Sequence, residues 1–109
     1  MEETNEGEMV TQVLDLNEDS IDEMTLGNRG ILIKRIMKTM FGGPVFPLEV
    51  RGTASQLAAF ATALGKEKAF MDAFSRYGLD DPKTYKSKAK LNNAVRQFET
   101  ITKIKWPFK

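Results

Sequence analysis

Cysteine and histidine are both absent from this chain of 109 residues. Without cysteine there is no disulfide framework, no thiolate metal site and no thiol nucleophile. Without histidine, most zinc sites and the usual general base near neutral pH are excluded. Long apolar runs are also missing, and those present are far too short to cross a bilayer. The N-terminus is acidic, with no basic region leading into an apolar stretch. A secretory signal is therefore not expected, and a cytoplasmic setting is. With 41% hydrophobic residues, a modest core is within reach of a single domain without covalent staples.

What is present is unevenly placed. Every charge up to Met24 is negative: Glu2, Glu3, Glu6, Glu8, Asp15, Glu18, Asp19, Asp22 and Glu23. Every lysine and arginine lies at Arg29 or beyond, where only Glu49, Glu67, Asp72, Asp80, Asp81 and Glu99 oppose them. This reads as an acidic, partly disordered N-terminal segment over 1–26 and a single compact basic domain over 27–109. The segment folds over the basic body, engages a basic partner, or is a plain tail. Only the first alternative predicts that its removal tightens nucleic-acid binding most at low salt.

Along the chain, Met9 to Leu16 places Val10, Leu14 and Leu16 at even spacing, as a short edge strand would. Ser20 and Glu23 suit a helix capping box, and Gly27 and Gly30 bracket an expected turn. Ile31 to Phe41 fits two templates. Ile33, Ile36, Met37, Met40 and Phe41 follow one helix face, while Ile31, Ile33, Met37 and Phe41 also suit strand alternation; periodicity favours the helix. Gly42-Gly43-Pro44 makes a turn, and two prolines confine Val45 to Val50 to a short or edge strand.

Gly52 breaks that strand, and Thr53 with Gln56 spells a second capping box. Leu57, Phe60, Ala61 and Leu64 then form an expected buried stripe, continued by Phe70, Met71, Phe74 and Tyr77. Gly65 ends or kinks the helix between them. Gly78 closes it, Leu79 is placed to fold back on Phe74 in a Schellman pattern, and Asp81-Pro82 caps and starts the next helix. That last helix, to about Ile101, puts Leu91, Ala94, Val95, Phe98 and Ile101 on one side and Lys86, Lys90, Asn93 and Gln97 on the other. Trp106 and Phe108 follow it, either docked on the body or displayed as an anchor for a partner; each can bury about 150–250 Å².

The expected fold is α+β and mainly helical: a helical C-terminal half with an αα-corner at 77–83, and a small β element near 45–50. Its partner strand would come from Met9 to Leu16 or, if Ile31 to Lys38 is extended, from there. No phosphate loop, dinucleotide fingerprint or nucleophile elbow is present. Asp80 and Asp81 are explained by the helix start they precede, and no cofactor, metal or small-molecule substrate is called for. A carboxylate enzyme would need a pocket converging on Asp72, Asp80 or Asp81. The expectation is therefore noncatalytic binding. Met37, Met40, Phe41, Phe46 and Trp106 supply an apolar surface for a protein partner or a second copy. The alternative is a nucleic-acid surface on Lys83, Lys86, Lys88, Lys90, Arg96 and Lys105, with Tyr85 stacking on a base. A lysine-rich face that serves only solubility competes with it.

Three blocks, Val50-Arg51-Gly52-Thr53, Tyr77-Gly78-Leu79-Asp80-Asp81-Pro82-Lys83-Thr84-Tyr85-Lys86-Ser87-Lys88 and Lys105-Trp106-Pro107-Phe108-Lys109, resemble small uncharacterised proteins of T4-like tailed phages, particularly marine ones. The resemblance covers roughly the second half. It implies a virus-encoded accessory protein acting in the cytoplasm of an infected bacterium, and it assigns no activity to any residue.

Overall fold

The computed structural model describes residues 11–17 and 23–108, apart from the side chains of 23–28. The expected disorder of the first residues and the capping box of Ser20 lie outside the described residues. Five elements follow one another: β1 (Gln12–Asp15), α1 (Glu23–Met40), β2 (Leu48–Arg51), α2 (Ala54–Tyr77) and α3 (Pro82–Thr102). The fold is mainly helical α+β, as the sequence implies.

β1 and β2 pair in parallel, with Gln12 opposite Leu48 and Asp15 opposite Arg51. Parallel pairing needs a long crossover, which α1 supplies. Of the two candidate partners for the strand near Val45, the N-terminal one is therefore used. The strand starts only after Pro47, whose carbonyl accepts the Gln12 N–H at 3.1 Å. Proline lacks the donor for a ladder but keeps the acceptor. Leu14 and Leu16 are both buried, so this stretch of the acidic segment contributes to the body.

Helix α1 settles the ambiguity at Ile31 in favour of the helix, and it corrects the expected turn: Gly27 and Gly30 both lie inside it. Burial of Leu32, Ile33 and Met37 outweighs a glycine cost of about 1 kcal/mol each. Gly30 also faces the C-terminal tail, where an added Cβ would lie 3.8 Å from Pro107. Gly52 is more constrained, since a Cβ there would come within 2.8 Å of Gln56 Oε1 and 3.2 Å of Leu16.

Both expected caps of the helical half form. Thr53 Oγ1 accepts the Gln56 N–H at 3.1 Å, while Gln56 Oε1 accepts the Thr53 N–H at 2.8 Å. The Gln56 amide also donates to Asn17 Oδ1 at 3.2 Å, joining the start of α2 to the end of β1. Asp81 accepts the Lys83 N–H at 2.8 Å with Pro82 at the first helical position. Gly78 takes a positive φ of 85° and donates to the Phe74 carbonyl. The Schellman expectation is corrected at Gly78, whose ψ of 171° lies outside the left-handed helical region, and Leu79 after it is 58% exposed. Thr84 secures the turn instead: its buried hydroxyl meets the Gly78 carbonyl at 2.6 Å and the Ala73 carbonyl at 3.3 Å.

The turn at 77–83 returns α3 alongside α2, from Thr84 beside Ala73 to Phe98 beside Phe60. Leu91, Ala94, Val95 and Phe98 are buried as expected, whereas Ile101 is 40% exposed. On α2 the stripe is shifted. Gln56, Ala59, Phe60, Ala63, Glu67 and Ala73 are buried, while Leu57 and Ala61 are exposed. Gly65 neither ends nor interrupts the helix. Alanines bring the helices together, and the two polar residues on that side face partners supplied by distant parts of the chain.

Candidate functional site

Trp106 is one such partner. Its indole N–H donates to Glu67 Oε1 at 2.7 Å, and its backbone N–H to Glu99 Oε2 at the same distance. The ring packs on Phe98 with centroids 5.2 Å apart and on Phe60 at 6.4 Å, near edge-to-face in both cases. Lys103 turns the chain at a φ of 64°, and Thr102 Oγ1 accepts the Ile104 N–H at 3.1 Å, which brings the tail back over the hairpin. Docking is thus realised, and the proposed role of Trp106 as a contact anchor is corrected: it is core.

Met37 is corrected in the same way, being 3% exposed on the inner side of α1. Of the other apolar contact residues, Met40 and Phe46 are half-buried and Phe41 is 47% exposed. Lys68 Nζ stands 4.8 Å from the Phe41 ring centroid, and the Arg35 guanidinium 5.2 Å from that of Phe46. Each ring therefore has a cation on its face.

The basic residues of α3 are divided between two sides. Lys90 and Arg96 line a groove of about 670 Å³ with Thr62 and Lys66 from α2 and Asn93, Ala94, Gln97, Thr100 and Ile101 from α3. Lys86 lies one turn before Lys90 and is exposed. Arg96 Nη1 donates to Asn93 Oδ1 at 3.3 Å. Among the described residues that line this groove there is no carboxylate. On the other flank, Lys88 borders a smaller hollow with Glu67, Glu99 and Trp106, and Arg96 lines this hollow as well as the groove.

The remaining cations of the set do not join the groove. Lys88 Nζ covers the Phe70 ring at 4.8 Å and Lys83 Nζ the Tyr77 ring at 4.5 Å. Phe74 and Tyr77, expected inside, are 48% and 42% exposed. Tyr85 is exposed but is not among the groove-lining residues, and Lys105 is exposed beyond the end of α3. Thr62 and Lys66 are the site residues that sequence reasoning missed. Their i, i+4 spacing was visible, but nothing local marked that flank of α2 as facing α3.

Carboxylates are engaged elsewhere. Asp72 accepts from Lys68 Nζ at 3.0 Å, and Asp81 caps α3. On β2, the Arg51 guanidinium 2.9 Å from Glu49 holds that carboxyl below the usual carboxylate range by hydrogen bonding and charge. No group of three or more acidic side chains placed to hold a metal ion occurs among the described residues. Likewise, none of their helices is long and apolar enough to cross a membrane. No family model, curated protein or solved structure matches the chain.

Proposed function

We propose that this protein is a noncatalytic nucleic-acid-binding protein that holds the phosphate backbone of a single strand in the groove between α2 and α3. The observation that carries the reading is the groove's composition: Lys66, Lys90 and Arg96 with two amides and two hydroxyls, and no opposing carboxylate among the described lining residues. Cations neutralise phosphates, and amides and hydroxyls bond phosphate or sugar oxygens without reading sequence. Helices packed in contact lie about 8–10 Å apart, so the trough beside them suits one strand better than a duplex. With lysine ahead of arginine and no aromatic ring in the groove, binding is backbone-directed and tolerant of sequence. The resemblance to phage proteins is in keeping with an accessory role in the cytoplasm of an infected bacterium, which belongs to the same proposal.

Binding of a fluorescein-labelled oligothymidylate, followed by anisotropy, tests the reading. Contacts from Lys66, Lys86, Lys90 and Arg96 give a log–log salt slope of about −3 for a single strand. Affinity should then fall about fifty-fold between 50 and 200 mM salt. Lys66→Glu with Lys90→Glu should weaken binding sharply, and Lys88→Glu, on the other flank, far less. Equal losses from all three changes, or a salt-independent affinity, would refute the groove as the site.

A further inference from the structure

Helix α1 carries a second surface of different chemistry. Ile31, Lys34 and Lys38 fall at i, i+3 and i+7 on one side of the helix, a stripe about 10 Å long at the helical rise, and Phe41 continues it just past the helix end. With Arg35, Met37 and Phe108 they line a depression of about 510 Å³. Its apolar parts are accessible: Ile31 is 57% and Phe41 47% exposed. Arg35 and Lys38 also line an adjoining hollow of about 260 Å³ with Pro44 and Phe46. Two apolar hollows thus share a cationic ridge. Among the described residues lining either hollow there is no carboxylate. The nearby Asp72 is already bonded to Lys68, whose Nζ stands over Phe41.

We infer that this face docks a short acidic peptide segment of another protein, one apolar side chain entering each hollow and carboxylates between them meeting Arg35 and Lys38. The apolar hollows supply burial, and the ridge selects charge. A bare polyanion would leave both hollows wet, and a basic peptide would meet three like charges, since Lys34 joins Arg35 and Lys38 on the rim. A second copy of the chain would present the same cations to these, because a two-fold contact brings identical patches together.

The probe is a fluorescein-labelled peptide, Ser-Phe-Asp-Glu-Glu-Leu-Ser, titrated with the full chain and read by anisotropy. A peptide with lysines in place of its three acidic residues and one with alanines in place of Phe and Leu serve as controls. The acidic peptide should bind at least about tenfold more tightly than either control. Lys38→Glu and, separately, Ile31→Glu should remove that advantage. Oligothymidylate binding by both variants should stay unchanged, which separates this face from the α2–α3 groove and reports a folded chain. Lys90→Glu should leave peptide binding intact. The proposal is overturned if the three peptides bind alike, or if Lys38→Glu leaves the preference in place. It is equally overturned if sedimentation shows the free chain self-associating through a contact that Ile31→Glu abolishes.

Discussion

At the scale of single residues, Glu67 shows how a side chain can be misread from its neighbours. Flanked by Lys66 and Lys68, it looks like part of a solvated helix surface, yet it is 3% exposed. It is tolerated inside because Trp106, 39 positions later, brings an indole N–H to it. Trp106→Phe keeps most of the ring packing but leaves that carboxyl oxygen without its donor, which should cost about 1–3 kcal/mol. Glu67→Gln retains an acceptor oxygen and should cost less. Trp106→Ala adds the cavity and should cost about 3–5 kcal/mol. Urea unfolding midpoints would rank the three, and a Trp106→Phe variant as stable as the parent would show the bond to be incidental.

At the scale of elements, local signals and buried faces diverge. Thr53-Gln56, Gly78 and Asp81-Pro82 mark helix ends through bonds within a few residues, so those boundaries were readable in advance. Local propensity alone marks Gly65 as a helix end or a kink. The helix runs through it because Phe60 and Ala63 on one side and Glu67 on the other are buried along the hairpin. Nothing lies within 4 Å of where a Cβ would sit at Gly65. Gly65→Ala should therefore stabilise the protein by about 1 kcal/mol, the helix-interior difference between the two residues. Thermal and urea unfolding would both register it, and a loss of stability would mean that the site is more crowded than its geometry indicates.

At the scale of the whole molecule, the closing contacts come from the ends of the chain. Leu14 and Leu16 reach the core from the start, and Ile104 and Trp106 from the finish. Truncation after Thr102 removes Ile104, Trp106 and Phe108 together. It should open the α2–α3 hairpin to amide hydrogen exchange around Phe60 and Phe98 more than Trp106→Phe does. Unchanged protection there would mean that the hairpin stands without its tail. By itself the sequence determined the helical class, the caps, the inward face of α3 and the cationic character of its outward face. Each follows from spacing along one segment. Only the tertiary structure decided that β1 pairs with β2, that α2 packs through alanines rather than Leu57, that Trp106 and Met37 are core, and that Lys66 joins Lys90 and Arg96. Those outcomes depend on which surfaces meet across tens of residues, and side-chain periodicity fixes a face without fixing what it faces.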